Sequence, residues 1–295
     1  MAHLSHEVDA PAAETEPRPA PATPPPALDL PFAVKPGSRF SLAEADPDLT
    51  APYKSKKDIK KEVADYRDRI ADLQARLYAE ANRSLLVVLQ AMDTGGKDGA
   101  IKDVFRGVNP QGCQVWSFKA PSTEELAHDF LWRYHQKAPS RGMITIFNRS
   151  HYEDVLVVRV KNLVPETVWR PRYEIIRQFE EALEREGVTV LKFFLHISKD
   201  EQKRRLESRL AEPEKHWKFS SADLKERARW DAYQLAFEEA INETSTAHSP
   251  WYVVPSNKKW FRNLVIARTI TETLEHMNPQ FPPSELGLES LVIPD

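Results

Sequence analysis

Short apolar runs alternate with helical patterns along this chain of 295 residues, which predicts an α/β fold with helices on both faces of a parallel sheet. Five runs are apolar and too short for an ordinary helix, at residues 85–89, 115–118, 143–147, 190–197 and 251–254. Such runs are typical of strands buried on both faces, so we expect a five-stranded, three-layer α/β/α sandwich. Three of the protein's 9 glycines follow the first run closely, and this strand is therefore expected to end in a ligand-binding loop.

The composition excludes several classes of protein. Apolar residues make up 41% of the chain and charged residues 29%, as in ordinary globular proteins, and the net charge is only −3. That balance argues against binding of nucleic acid through bulk positive charge, but it allows a local basic patch. The single cysteine, Cys113, excludes an intramolecular disulfide and a cysteine zinc site, and it predicts a reducing, cytoplasmic location. No apolar run approaches the roughly 20 residues that cross a bilayer, so no membrane association is expected.

The prolines indicate where the fold begins. Ten of the 23 prolines lie in the first 50 residues, where hydrophobic periodicity is absent, so residues 1–35 are predicted to be a disordered tail. This tail lacks the apolar run of a secretory signal and the arginines of a mitochondrial one. We assign an N-terminal arm and a long helix to 36–84, the core to 85–280 and a C-terminal tail to 281–295. Helices are predicted at 59–77, 98–107, 122–137, 171–186, 199–210, 221–245 and 259–277.

The glycine-rich segment after the first strand, 90–99, predicts a phosphate-binding loop. Its backbone amides, the N-terminus of the following helix and the side chain of Lys97 would together hold an anion. The match to the motif G-x-x-x-x-G-K-[ST] is partial, because Ala91 replaces the first glycine and Asp98 replaces the hydroxyl residue that normally holds Mg²⁺. Asp93 within the loop is then the candidate metal ligand. The alternative is a glycine-rich turn with a helix-capping lysine, which the order of strand, loop and helix disfavours.

A second candidate segment follows the third strand and contains Asn148, Arg149, His151, Glu153 and Asp154. In phosphate-loop kinases an aspartate at this strand end helps to hold the metal, and Asn148 takes that position here. Arg149 is the strongest candidate, since it would face the phosphates. Glu153 and Asp154, taken alone, are typical of a solvated first helical turn. His151 could act as a base, but a lone histidine more often packs or hydrogen-bonds.

A basic hairpin follows the fourth strand. Residues 203–218 contain six lysines or arginines and three glutamates, a net charge of +3 within a chain of −3. Arg205 and Arg209 are four residues apart and share a helix face, and Pro213 then ends the helix. We expect a lid at about 199–229 that neutralises charge at a transferring phosphate and excludes water. A solvated amphipathic helix explains the composition equally well.

Taken together, these motifs resemble one family. The segment 90–99 resembles the variant Walker A loop of the polyphosphate kinase 2 family, 147–155 resembles its variant Walker B segment, and 209–218 resembles its lid module. The segments 230–233 and 249–255 extend the resemblance, which covers roughly residues 50 to 280. It implies a phosphate-loop kinase fold similar to that of thymidylate kinases, and Mg²⁺-dependent phosphoryl transfer between inorganic polyphosphate and nucleotides.

The Walker B segment of this chain resembles that of the class III subgroup, which accepts both AMP and ADP. Many members carry aspartate in place of Asn148 and asparagine in place of Glu153, which shifts metal binding to Asp93 and makes Glu153 a class-specific contributor. The resemblance implies catalytic roles for Asp93, Lys97, Arg149, Glu153 and Arg209. It implies phosphate or nucleotide contacts for Thr94, Gly95, Gly96, Asp98, Gly99, Lys102, Arg106, Asn148, Lys215, Trp217 and Lys218.

The resemblance also implies the partners. Polyphosphate would lie along a basic channel, and the acceptors would be adenine nucleotides, with guanine nucleotides left open. Mg²⁺ is the implied metal, which Mn²⁺ could replace, and a homodimer or homotetramer is the implied assembly.

Two other functions fit less of the sequence. An ATP-dependent nucleotide or small-metabolite kinase leaves Ala91, Asp98 and the lid cations unexplained. A non-catalytic polyphosphate-binding or nucleic-acid-binding module does not require Asp93 and Arg149 together, and it would favour an excess of basic residues over the whole chain.

Overall fold

A parallel five-stranded sheet lies at the centre of the computed structural model, which describes residues 28, 30–284, 288 and 291–293. The strands are β1 (Ser84–Gln90), β2 (Cys113–Ser117), β3 (Ile144–Asn148), β4 (Val188–His196) and β5 (Trp251–Pro255). Their order is β2-β3-β1-β4-β5, and all neighbouring strands are parallel. The five predicted strands are confirmed. Because β1 lies between β3 and β4, the loops that follow these two strands flank the phosphate loop at the carboxyl edge of the sheet.

Helices cover both faces of the sheet, as the alternating pattern predicts. They are α1 (Lys60–Glu80), α2 (Lys97–Val104), α3 (Thr123–Leu126), α4 (Trp132–His135), α5 (Glu153–Val160), α6 (Glu166–Trp169), α7 (Arg172–Arg185), α8 (Lys199–Ala211), α9 (Ser221–Arg227), α10 (Trp230–Thr244) and α11 (Lys259–Met277). One apolar core joins α1, α2 and α11 to one face of the sheet, and a second joins α5, α7 and α10 to the other. The three-layer sandwich is therefore confirmed.

The strands differ in burial according to their neighbours. Every residue of β1, β4 and β5 is buried, because apolar side chains on both faces pack against helices. Among the described strands, the outer strand β2 pairs with β3 alone, and Val115 is 46% exposed. The prediction that all five strands are buried on both faces is thus wrong for β2.

Two predicted helices are interrupted. Residues 122–137 form two single turns, α3 and α4, because Asp129 Oδ1 accepts a hydrogen bond from the backbone N–H of Leu131 at 2.9 Å and holds a turn between them. The predicted helix at 221–245 is divided at residues 228–229 into α9 and α10. The helix α5 and the single turn α6 are further helices, which the periodicity does not predict.

The N-terminal arm packs along the outer edge of β5. Val34 donates a backbone hydrogen bond to the carbonyl of Trp251 at 2.8 Å, and Val253 donates one to the carbonyl of Phe32 at 2.9 Å. The arm also caps α10, where the backbone N–H of Phe40 bonds to the side chain of Asn242 at 2.9 Å. The tail boundary predicted at residue 35 therefore comes too late, because residues 32–34 pack on the sheet. Residues 1–27 and 29 of the predicted tail lie outside the described residues.

The described residues of the predicted C-terminal tail lie outside the core. Of the predicted C-terminal tail, residues 281–284, 288 and 291–293 are described, and their side chains are exposed. Among the described residues, no helix has the length and apolar character needed to cross a bilayer.

Candidate active site

The loop between β1 and α2 has the backbone form of an anion-binding loop. Gly96 has a φ of +101° and is the N-cap of α2, so the first amides of the helix point towards the loop. A Cβ at Gly95 would lie 2.4 Å from that of Ala91, and a Cβ at Gly96 would lie 2.0 Å from Arg262 Nη1. The glycines are therefore required by the close approach of neighbouring atoms.

Two arginines from outside the motif support this loop. Arg262 on α11 is 1% exposed, and its guanidinium lies beside the positions where Gly96 and Gly99 lack side chains. Burial and the charge of Arg205 lower the pKa of Arg262 to about 10. Thr94 has a left-handed backbone, with a φ of +62°, and its carbonyl accepts a hydrogen bond from Arg205 at 2.9 Å. The conformation of the loop thus depends on α8 and α11 as well as on its own glycines.

Lys97 is the first residue of α2 and is only 8% exposed. Its ammonium donates a hydrogen bond to the carbonyl of Ala91 at 3.1 Å, so the side chain folds back across the loop. Burial and the nearby guanidinium of Arg149 lower the pKa of Lys97 to about 8. A bound anion would raise this pKa, because an opposite charge favours the protonated form. The ammonium therefore lies within the loop, where a bound phosphate would contact it.

Arg149, directly after β3, connects the loop to α5. Its guanidinium lies 2.7 Å from Asp93 Oδ1 and 3.3 Å from Glu153 Oε2. The charges of Glu153 and Asp93 raise the pKa of Arg149 above its already high value, with the larger effect from Glu153. Its backbone is left-handed, with a φ of +65°, which a residue other than glycine keeps only where surrounding contacts fix it. Three of the predicted catalytic residues are thus brought together.

Asn148 ends β3 and faces the first turn of α2. Its side-chain amide donates a hydrogen bond to Asp98 Oδ1 at 2.7 Å. An aspartate at position 148 would place a second carboxylate against Asp98, and like charges this close repel each other. The amide therefore suits a loop that carries Asp98 in place of the usual hydroxyl residue.

The structure separates the alternatives for residues 151–154. Glu153 is 15% exposed and pairs with Arg149, so it is not a solvated helical residue. Asp154 is also shielded, since burial raises its pKa and its Oδ2 accepts a hydrogen bond from Tyr134 at 2.9 Å. His151 is fully buried, with Nε2 3.1 Å from Glu180 Oε1, which favours a packing role over that of a base.

Arg205 on α8 contacts the phosphate loop, which the sequence pattern does not predict. Its Nη1 donates to the carbonyls of Thr94 and Gly95 at 2.9 and 3.0 Å, and its Nη2 donates to the carbonyl of Ser256 at 2.6 Å. Its Nε donates to Glu201 Oε1 at 2.7 Å, and the side chain is 8% exposed. In the sequence, the spacing of Arg205 from Arg209 indicates a shared helix face but no contact with the loop. A cation on an amphipathic helix is usually solvated, so the pattern does not predict this contact.

The remaining residues of the predicted lid lie nearer the surface. Arg209 Nη1 lies 3.4 Å from Asp223 Oδ2, so this pair joins α8 to α9. Lys215 is 42% exposed and forms an ion pair within its own turn, and Trp217 is 79% exposed. The side chain of Lys218 lies outside the described part of the structure. The lid hairpin therefore presents its cation and its aromatic ring to solvent.

Lys102 lies in the last turn of α2, and Arg106 lies two residues beyond the end of that helix. Both side chains are exposed, and Arg106 lies 3.5 Å from Asp103. A helix rises about 1.5 Å per residue, so the backbone of Lys102 lies about 7.5 Å along the axis from that of Lys97. The structure does not bring these two predicted residues to the loop.

A cavity of about 210 Å³ lies beside Asp93 and Arg149, between α5 and the lid. Its walls include the apolar side chains of Met92, Leu156 and Phe237 and the charged side chains of Lys161, Asp223 and Glu226. Lys161 Nζ lies 2.7 Å from Glu226 Oε1. Asp93 and Asp223 line the same cavity, and burial and the charge of Asp93 raise the pKa of Asp223. The cavity thus joins the predicted catalytic residues to the lid.

Comparison with known proteins gives the family. The family model described as polyphosphate kinase 2 matches residues 53–282, most of the chain. This chain belongs to the polyphosphate kinase 2 family. The resemblance inferred from the motifs is therefore confirmed, and the protein is a phosphotransferase with a phosphate-loop kinase fold.

Similar proteins of this family match over nearly their whole length. The chain is 55% identical over 263 residues to the AMP/ADP-polyphosphate phosphotransferase of Meiothermus ruber, covering 89% of this chain and 98% of that protein. It is 44% identical over 263 residues to the ADP-polyphosphate phosphotransferase of Rhodopseudomonas palustris, covering 85% of this chain and 91% of that protein. The crystal structure of polyphosphate kinase 2 from Arthrobacter aurescens TC1 superposes with a TM-score of 0.84 at 43% identity, covering 88% of this chain and 93% of that chain.

Phosphotransferases of the polyphosphate kinase 2 family generally depend on a metal ion, and the residues present fit one held largely by substrate. Within the described ranges no three histidine, cysteine or carboxylate side chains lie close enough to form a metal cage. Mg²⁺ does not require a cage, since it usually keeps several waters and binds one or two carboxylates together with substrate phosphates. Asp93, whose side chain is 19% exposed within the phosphate loop, fits that requirement.

Proposed function

We propose that the protein transfers the terminal phosphoryl group of inorganic polyphosphate to AMP and to ADP by direct in-line displacement, with Mg²⁺ as the metal. The observation that carries this proposal is the arrangement of Asp93, Lys97 and Arg149 around the phosphate loop, with Arg149 2.7 Å from Asp93. The Meiothermus ruber relative, 55% identical, is named for both acceptors, and the Rhodopseudomonas palustris relative is named for ADP.

The donor would bind through the phosphate loop. The backbone amides at the N-terminus of α2 and the ammonium of Lys97 would hold the terminal phosphates. The guanidinium of Arg149 would balance the negative charge that develops on the transferring group, in a site from which the lid excludes water. Arg209, near Asp223 in this structure, would reach the donor when the lid closes over it.

The acceptor would enter the cavity beside Asp93 and Arg149. A nucleotide phosphate is already ionised near neutral pH, so it requires no general base, and His151 is buried where it could not supply one. Position and charge would therefore provide most of the catalysis. We assign to Glu153, which lines this cavity, the contribution to the wider acceptor range that the class III resemblance implies.

Asp93 would hold the metal ion. When bound, Mg²⁺ withdraws negative charge from phosphoryl oxygens and so favours their displacement. Because Asp93 Oδ1 also accepts a hydrogen bond from Arg149, the same carboxylate would orient the guanidinium next to the reacting phosphate.

The rest of the proposal concerns partners and location. Lys215, Trp217 and Lys218 would contact the polyphosphate chain as it leaves the loop. A homodimer or homotetramer, a cytoplasmic location and adenine nucleotides as acceptors, with guanine nucleotides left open, remain predictions from the sequence. Sedimentation and parallel assays with GMP and GDP test the first and the last of these.

One assay tests the function. The full chain is incubated with polyphosphate, Mg²⁺ and AMP, and the nucleotides are separated by chromatography. We expect ADP to form first and ATP to follow. Formation of ADP alone would limit the protein to AMP, and activity with ATP but not with polyphosphate would favour an ordinary ATP-dependent kinase. Absence of any product would favour the binding module, and reactions without metal or with Mn²⁺ test the choice of ion.

A further inference from the structure

A lysine and a glutamate are completely buried beneath the turn that carries Arg149 and Glu153. Lys192, in the middle of β4, is 0% exposed, and Glu180 on α7 is 1% exposed. Transfer of two charges into a protein interior is unfavourable, and their attraction offsets this only with good geometry. Replacement of a buried ion pair by apolar residues often leaves the stability of a protein unchanged. The pair therefore suggests a role in fixing a particular structure more than a contribution to the free energy of unfolding.

The pair is hydrogen-bonded to several elements. Lys192 Nζ donates to Glu180 Oε2 at 2.6 Å, to the carbonyl of Thr244 at 2.7 Å and to Tyr152 Oη at 3.2 Å, which uses its three protons. Glu180 Oε1 accepts from the Tyr152 hydroxyl at 2.8 Å and lies 3.1 Å from His151 Nε2. Burial alone would raise the pKa of Glu180, but the charge of Lys192 and the hydrogen bond from His151 hold it below its usual value. The carboxylate is therefore ionised at neutral pH.

These contacts fix the turn at its two central residues. Tyr152 is the N-cap of α5, and the backbone N–H of Glu153 bonds to the carbonyl of Ser150 at 2.9 Å. Because His151 and Tyr152 are both bonded to Glu180, the start of α5 cannot shift without breaking buried charged contacts. On the other side of the same turn, Arg149 keeps its left-handed backbone and its hydrogen bond from the main-chain N–H to the carbonyl of Leu89 at 3.1 Å.

We propose that Glu180 and Lys192 are positioning residues for phosphoryl transfer. Acting through His151 and Tyr152, they fix the turn at 148–153 and with it the placement of the Arg149 guanidinium against Asp93. Neither residue lines the cavity beside Asp93, so each acts through the turn and not by contact with substrate. The inference rests on the role proposed above for Arg149.

The main test removes both charges together. The double variant Glu180→Gln, Lys192→Met keeps the size of both side chains and leaves no unpaired charge. We expect a folded protein whose kcat falls by about tenfold to a hundredfold, since small misplacements of catalytic groups have effects of this size, while the KM for polyphosphate changes little. In an Arg149→Ala background the same two substitutions should lower kcat by less than about twofold, because the turn no longer carries the guanidinium.

A second variant covers the case in which the double variant does not fold. Tyr152→Phe keeps the ring and removes the hydroxyl that donates to Glu180 and accepts from Lys192. These residues and His151 form the buried cluster. It should lower kcat several-fold, again with a much smaller effect in the Arg149→Ala background. The matched control is Tyr173→Phe, which removes another buried hydroxyl, one that accepts from Arg159 at 3.4 Å, and should leave kcat unchanged.

The outcomes separate the inference from the proposed function. A folded double variant or Tyr152→Phe with normal kcat overturns the inference, and so does an equal fold-loss in both backgrounds, which a merely structural role predicts. If Arg149→Ala itself turns over normally, the role proposed for Arg149 fails and the inference fails with it. A large loss in Arg149→Ala beside normal rates in the cluster variants overturns the inference alone.

Discussion

The base of the candidate active site, formed by Asp93, Lys97, Arg149 and Glu153 around the phosphate loop, differs from the predicted lid at 199–229 in how its charged residues are paired. At the base, Lys97 is 8% exposed, and Arg149 is held between two carboxylates at 2.7 and 3.3 Å. In the lid, Lys215 is 42% exposed and Trp217 is 79% exposed. Charges at the base are thus paired around the phosphate loop before substrate arrives, whereas Lys215 pairs with Glu212 within its own surface turn. Preorganised charge lowers the barrier of the chemical step, so changes at the base should act on kcat and changes in the lid on KM.

The largest effect is expected at the base. Asp93→Asn or Lys97→Ala should lower kcat by about a hundredfold or more with the fold intact, because each removes a charge that acts on the transferring phosphoryl group. Steady-state kinetics and thermal unfolding of both variants check this. Asp65→Asn and Lys61→Ala are matched controls, since these residues form an exposed pair on α1 at 2.6 Å. Normal turnover in either loop variant would remove the distinction between base and lid.

A smaller loss is expected at Arg205, which belongs to the lid by sequence and to the base by contact. Lysine in its place keeps the charge but cannot bond to the loop and to Ser256 together, so Arg205→Lys should lower kcat by about tenfold. The control is Arg204→Lys, because Arg204 is 61% exposed on the same helix and also pairs with Glu201. An effect on KM alone would assign Arg205 to the lid instead.

The pH dependence should also reflect the base. Lys97 carries its charge below its pKa of about 8 and loses it as the pH rises through that value. The ratio kcat/KM, which reports the free enzyme, should therefore decline above about pH 8, and kcat should decline at higher pH because bound phosphate raises the pKa. Lys97→Arg should move the decline in kcat/KM to higher pH, whereas an unmoved profile would assign it to another group.

The smallest effect is expected in the lid hairpin. Lys215→Ala should raise the KM for polyphosphate by a few-fold and weaken its dependence on salt, with kcat nearly unchanged, because an exposed charge is screened and acts mainly on encounter. Measurement of the KM for polyphosphate at several NaCl concentrations, for this variant and for the control Lys61→Ala, tests this. A large fall in kcat would mean that the hairpin holds the reacting phosphate directly.

The sequence predicts the parts of this protein that depend on local pattern. Apolar runs predict the strands, and the glycines around Lys97 predict the phosphate loop, because both follow from backbone requirements. The break at Asp129 depends on one side chain that bonds to its own backbone, and periodicity does not detect it. Arg205 resembles a solvated helix cation until the fold brings the loop carbonyls to it. Lys192 does leave a signal, since a lysine inside an apolar strand run requires a buried partner, but its partner Glu180 lies on a different element.

The hydrogen bonds between the arm and β5 have a consequence for aggregation. An uncovered edge strand offers backbone N–H and C=O groups to any other chain, which makes it a starting point for intermolecular pairing. Here the N–H of Val253 donates to the carbonyl of Phe32, and the carbonyl of Trp251 accepts from the N–H of Val34. The arm thus pairs two of the backbone groups on this edge of β5. A shortened chain that begins at residue 28 keeps this protection, and one that begins at residue 36 exposes an apolar edge. We therefore expect the second to be the less soluble of the two, even where its active site is intact.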